Sequence, residues 1–366
     1  MLEFNFTNGS RNNEEYPDYF TAWDRAVKAG LNPGYVEPDD ICDIIDIYLS
    51  EGKVNRAKFA IEYAFKLYPG NEELVYEVLL LLNDYELWND LLELSEKHKD
   101  MKQVWADGHK LTALLHLGME EDAFHFFKKL KDKYVDDKEN LSIVYQAMGE
   151  ALYEMDLYTA SIDVVKEALA VVGRDVNLYW IQLQSYLALE DKENVEALSL
   201  IIRKMNPMDP ETWNRLGGVY KEIGETGKEI EAYEFAYSLG YKDSQMLLEM
   251  VYAYEKNGNL NKALGKAEEY LALHPDSYLL NLMAANICSQ KEDWAKALHF
   301  VNNALTLEPE SEALYIYKSN FLLKLGEQKK AIMVLEEGIE KTKDTTGELT
   351  KRLKELQDET GDSYSY

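Results

Sequence analysis

The sequence predicts an all-α fold, a solenoid of antiparallel helix pairs, on three observations. Marker residues recur every 34 positions: Pro275 and Pro309, then Ala263, Ala297 and Ala331, then Gly224 and Gly258, with Gly326 two steps on and Glu292 at the skipped place. Each period holds two runs with apolar residues at helical spacing, divided by a Gly and closed by a Pro. The composition, 46% hydrophobic and 12% aromatic with only 8 Pro in 366 residues, supplies a packed core and leaves little chain for long disordered linkers.

Taken in order, residues 1–15 are expected to be a flexible N-terminus. Residues 16–37 read as a leading half-repeat, with Pro17 at a helix start and Phe20, Trp23 and Val27 on its apolar side. Three less regular repeats fill 38–141. The first carries Tyr48, Gly52, Ala57, Ala64 and Pro69, the second is marked by Val75, Leu82 and Trp88, and the third by Gly118 and Ala123. About four extra residues precede Ser142, where six repeats in strict register begin, starting at 142, 176, 210, 244, 278 and 312 and running to 345.

Within these repeats the fourth place is large in Tyr145, Tyr179, Trp213 and Tyr315, and the eleventh is bulky in Leu152, Tyr186, Tyr220, Tyr254 and Leu322. Both places lie on one face of a first helix. Gly at the fifteenth place suits a tight inter-helix turn. Ala at the twentieth and twenty-seventh places (Ala168, Ala236, Ala304) lets the second helix approach closely, and Pro at the thirty-second place stops it. Residues 346–360 carry one apolar stripe, Leu349, Leu353 and Leu356, on a charged background, as a polar capping helix requires. Residues 361–366 are expected to be a flexible tail.

This pattern resembles the tetratricopeptide repeat (TPR) family. The family signature of Trp, Leu-Gly, Tyr, Ala, Phe/Tyr, Ala and Pro is nearest in Trp213, Leu216-Gly217, Tyr220, Tyr233 and Ala236, although Glu229 holds an Ala-type place there and Tyr241 the Pro place. The resemblance covers about 90% of the chain. It implies a right-handed α-solenoid of antiparallel helix pairs, a TPR-like superhelix, whose function is to bind protein without catalysis.

The chemistry-bearing residues agree with that implication. The 67 acidic against 39 basic residues give a formal charge of −28, which repels a nucleic-acid backbone. The same acidity fits a well-solvated, bacterial-type surface or a preference for basic partners. Cys42 and Cys288 are far apart and form no CxxC or Cys/His spacing, so they read as packed, reduced thiols. The six His, among them His109 and His116 seven apart, make no zinc motif, and no metal or other cofactor is expected. A phosphate loop at Gly224-Glu-Thr-Gly227-Lys228 fails twice, because Glu222 stands in the first Gly place and Glu229 in the Ser/Thr place. No basic start with an apolar run opens the chain, and no apolar stretch approaches about 20 residues. A cytoplasmic protein that does not enter a membrane is expected.

By the resemblance, the second, fifth and ninth places of each first helix face a concave groove. They supply Asn177, Trp180, Gln184, Asn214, Tyr252, Leu282, Asn286, Ile316 and Asn320. Side-chain amides pair with an extended peptide backbone, and Trp and Tyr offer rigid contact area. The same residues also fit a plainer role, amides solvating the inner face and aromatics packing between repeats. Relatives that grip acidic chaperone C-terminal tails present Lys, Arg and Asn at these places. Here the charged residues are Asp39, Asp46, Glu73, Glu150 and Glu211, so such a tail is not the expected partner. The expected function is a protein-interaction scaffold for a protein or an extended peptide. A self-associating assembly unit, or a regulatory subunit that senses a peptide, are the alternatives, and the oligomeric state stays open.

Overall fold

A computed structural model of the chain describes residues 16–98 and 104–360. The expected flexible ends, 1–15 and 361–366, lie outside the described residues, as do 99–103 at the close of the second irregular repeat. Every regular element among the described residues is an α-helix, and the chain divides into two compact units, Met1–Leu198 and Ser199–Tyr366.

In the first unit, α1 (Asp18–Lys28) follows Pro17 and buries Phe20 and Trp23. Helix pairs then alternate: α2 (Pro38–Ser50) with α3 (Val54–Leu67), α4 (Glu72–Asp84) with α5 (Trp88–Lys97), α6 (Val104–His116) with α7 (Glu120–Lys133), and α8 (Lys138–Glu154) with α9 (Tyr158–Val172). α10 (Val176–Ala188) packs on α9 and α8. The four extra residues before Ser142 are helical. Asp137 accepts a hydrogen bond from the Asn140 amide and so starts α8 one turn early, lengthening the helix to 17 residues. The unit division falls inside α11 (Lys192–Met205), whose Val195 and Ile202 are buried.

The second unit continues with α12 (Pro210–Glu222) and α13 (Thr226–Ser238), α14 (Ser244–Lys256) and α15 (Leu260–Leu273), α16 (Tyr278–Gln290) and α17 (Trp294–Leu307), and α18 (Glu312–Lys324) and α19 (Gln328–Thr342). First helices from α10 onward begin at 176, 210, 244, 278 and 312, and second helices from α9 onward at 158, 192, 226, 260, 294 and 328. A single 34-residue step generates both series. α20 (Glu348–Thr360) packs on α19 and α18 and adds Leu349 and Leu356 to the core of this unit.

One turn joins the two helices of each pair. The fifteenth place has positive φ whether or not it is glycine: Gly224 (82°), Gly258 (74°) and Gly326 (76°), but also Asp156 (60°), Glu190 (57°) and Glu292 (57°). The next residue's amide donates to the carbonyl five residues back, as in Glu225 to Tyr220, Asn259 to Tyr254 and Asp293 to Cys288. This is the Schellman closure, which satisfies the carbonyls a helix end would otherwise leave unpaired. The need for left-handed backbone at this place comes from that hydrogen-bond geometry, so Glu292 adopts it at a cost that Gly avoids.

The close packing of each pair comes from small residues. Ala263, Ala297 and Ala331, then Ala168, Ala236 and Ala304, are wholly buried. The tyrosines and carboxylates that dominate the composition pair with one another: Tyr48 with Asp24 (3.0 Å), Tyr85 with Asp46 (2.7 Å) and Tyr145 with Glu167 (2.8 Å) in the first unit, and Tyr254 with Glu234 (2.5 Å) in the second. Part of the acidity is thus spent satisfying hydroxyls at the edge of the core.

Candidate functional site

The first helices of the second unit lie side by side, joined by polar rungs. Lys221 on α12 pairs with Glu249 on α14 at 2.6 Å. Asn286 and Gln290 on α16 both donate to Glu255 Oε1 on α14, at 3.0 and 2.8 Å. Arg352 of α20 donates to Asn320 Oδ1 on α18 at 3.1 Å, and Asn214 Nδ2 approaches the Tyr241 hydroxyl at 3.4 Å. The amides expected to meet a ligand are therefore present on this surface, but Asn286, Asn320 and Asn214 already hold intramolecular partners that a ligand must replace or share.

The apolar members differ among themselves. Tyr252 is 41% exposed and offers its ring. Leu282 and Ile316 are half-buried and pack against the core cluster of the unit. Two large residues missing from the sequence-based set, Leu279 (46% exposed) and Tyr317 (45%), stand at the second and sixth places of their helices. At 100° per residue the second, sixth and ninth places share one stripe, so Leu279, Tyr252 and Tyr317 follow from the same helical geometry once the sixth place is included.

In the first unit the expectation for Trp180 is corrected. Its side chain is only 5% exposed, so the indole is spent in the core and offers no face to a ligand. The fifth place of α10 points inward far enough for a large ring to be worth more buried than solvated. Asn177 remains exposed and Gln184 half-buried, with Asn177 Nδ2 near Gln146 Oε1 at 3.4 Å. Farther toward the N-terminus, α2 and α4 carry an acidic surface. Asp39, Glu73 and Glu77 are exposed, and Asp46 is held by the Tyr85 hydroxyl. Burial, with Glu77, Asp39 and Asp43 nearby, pushes the Cys42 thiol up to about 12, so this cysteine is a protonated packing residue and no nucleophile at neutral pH.

Among the described residues, no group of three or more His, Cys, Asp and Glu is placed to hold a metal ion, and no helix is long and apolar enough to cross a membrane. His109 and His116 do not converge. His116 stacks on Trp88 with ring centroids 4.2 Å apart and faces Glu154 at 3.2 Å, whereas burial pushes His109 down to about 4.

Paired antiparallel helices of fixed 34-residue step, closed by the same turn and packed through small residues, define the tetratricopeptide class of helical repeat. No protein-family model and no curated protein matches the sequence. Among solved structures, the C-terminal part of a TPR repeat-containing protein from Cytophaga hutchinsonii is 13% identical, with 65% of this chain and 96% of that one covered at a TM-score of 0.50. A tetratricopeptide repeat protein from Parabacteroides merdae is 13% identical over 74% of this chain and 98% of its own, at a TM-score of 0.41. The MamA protein is 15% identical over 47% and 93%, also at 0.41. The chain has the TPR fold, an all-α solenoid of helix pairs.

Proposed function

We propose that this protein is a non-enzymatic interaction scaffold that holds a segment of another protein on its first-helix surfaces. The observation that carries the reading is the stripe of the second unit, where Leu279, Tyr252 and Tyr317 leave large apolar side chains in water beside the amide and carboxylate groups of Asn286, Gln290 and Glu255. Exposed aromatic and aliphatic area flanked by satisfied polar groups is the composition of a protein-contact surface. Glu255 and Glu249 favour a segment rich in N–H donors, and Lys221, the cation of this surface, is engaged by Glu249.

The direct test is an affinity pulldown from a lysate of the organism that makes the protein. Wild type is compared with a variant combining Tyr252→Ala, Leu279→Ala, Asn286→Ala and Tyr317→Ala, and both are weighed in solution over a range of concentrations. Loss of one discrete partner supports the reading. An unchanged partner list sinks the choice of surface, and a mass that grows with concentration while no partner is retained replaces it with self-assembly. The acidic surfaces also predict that a free peptide ending in Glu-Glu-Val-Asp binds negligibly, because Asp39, Glu73 and Glu211 repel it and no basic clamp stands beside them. Saturable calorimetric binding of that peptide would contradict this.

A further inference from the structure

The fourth place of each first helix makes one recurring contact. Trp213 Nε1 donates to the Pro207 carbonyl at 2.9 Å, and the Tyr315 hydroxyl to the Pro309 carbonyl at 3.0 Å, each reaching the proline that ends the preceding second helix. In α16 this place is Asn281. Its Nδ2 keeps the contact, reaching the Pro275 carbonyl at 3.4 Å and the Ser277 carbonyl at 2.9 Å, but no ring follows. Both neighbours of Nδ2 are carbonyls, which fixes the orientation of the amide. Asn281 is 1% exposed, and its Oδ1 has no hydrogen-bond partner.

The space the ring would fill is open. Around Trp213, the ring lies against Phe235 (centroids 4.4 Å apart) and beneath Arg203 (5.7 Å). Two repeats later the corresponding residues are Asn303 and Leu271. Both line a cavity of about 530 Å³ between α15 and α17, with Pro275, Asn281, His299 and Phe300 among its other walls. The cavity thus combines apolar sides, a polar rim and one buried acceptor left unsatisfied. An unsatisfied buried acceptor is costly until a donor reaches it.

We propose that this cavity is a second binding site, which receives a tryptophan or tyrosine side chain from a partner protein. The incoming ring occupies from outside the position that Trp213 and Tyr315 fill from within their own repeats, and its N–H or O–H donates to Asn281 Oδ1. The site is built mainly by second helices and does not include the stripe of Tyr252, Leu279 and Tyr317, so its ligand chemistry is independent of that surface.

The test titrates N-acetyl-tryptophanamide, N-acetyl-tyrosinamide and N-acetyl-phenylalaninamide into the isotope-labelled full chain and follows amide shifts by NMR. The first two should give saturable shifts confined to the ends of α15 and α17 around Leu271, His299 and Asn303. The phenylalanine compound, which lacks a donor, should bind about tenfold more weakly. Asn281→Tyr supplies the missing ring and should abolish the shifts while raising the thermal midpoint. Asn281→Ala, which keeps the space open, should retain weak binding and lose the preference for donors. Equal binding of all three compounds, unchanged binding in Asn281→Tyr, or no saturable shift at the cavity at tens of millimolar overturns the proposal.

Discussion

Two adjacent glycines in α12 should respond to the same substitution with opposite signs. A Cβ on Gly218 meets nothing within 4 Å, so Gly218→Ala keeps only the gain in helix propensity, about 1 kcal/mol. A Cβ on Gly217 would stand 2.3 Å from Tyr233 Cε1, 2.5 Å from Cδ1 and 2.8 Å from Cζ. Carbon atoms rest about 3.5–4.0 Å apart, so the ring must retreat by more than about 1 Å. Tyr233 is 3% exposed and belongs to the core cluster of the second unit, which leaves a flat ring no free direction. Overpacking costs about 1–3 kcal/mol, and three overlapping ring atoms place this case near the upper end. After the propensity gain, Gly217→Ala should destabilise by about 1–2 kcal/mol, placing the two variants about 2–3 kcal/mol apart. Each repeat draws its stability from its neighbours, so the change is read locally by hydrogen exchange of α12 and α13 amides, beside the urea midpoint. Tyr233→Leu in the Gly217→Ala background should recover part of the loss, giving a double-mutant coupling that Tyr233→Leu with Gly218→Ala lacks. A Gly217→Ala protein as stable as Gly218→Ala would refute the packing argument.

Glu292→Gly should stabilise by about 0.5–1 kcal/mol, because relief of the left-handed backbone at φ 57° exceeds the extra entropy glycine loses on folding; a lowered urea midpoint would contradict this. The link into α20 should loosen in acid. The Thr350 hydroxyl, with the Thr350 and Leu349 amides, holds the Asp344 carboxyl below the usual carboxylate range, and the Thr346 and Thr345 hydroxyls do the same for Glu312. A carboxylate whose pKa is depressed in the fold contributes fully above its unfolded value near about 4, and the contribution disappears as pH falls through the lower folded value. Protection factors of Leu349 to Leu356 should therefore drop between about pH 5 and pH 3, and Asp344→Asn should lower them at neutral pH. Unchanged protection in both experiments would show that the carboxylates do not hold this helix.

The register of the repeats was legible because it is written in residues with backbone or steric consequences. Pro275 and Pro309 stop helices, and the alanines set the helix–helix distance. Less visible was the capping chemistry: Asp175, Asp209, Asp243 and Ser277 recur at the thirty-fourth place, and each accepts backbone N–H bonds at the start of a first helix. Their 34-residue spacing could have been found, but short polar residues before a helix carry little weight until the helix start is known. Trp180 shows the opposite limit. Position in the repeat places it on the inner face, and only the packing of α10 against its neighbours decides that the indole is buried rather than displayed.

In a repeat array, departures from the pattern carry information that matches do not, because every place has internal comparisons to measure it against. Glu292 departs at the turn and retains the backbone conformation, so its cost is local. Asn281 departs at the fourth place and retains the bond to Pro275, but it removes a ring and leaves Oδ1 without a partner. The first departure is a matter of stability alone. The second changes what the surface can bind, since space and an unmet acceptor together select an aromatic donor over a plain hydrocarbon.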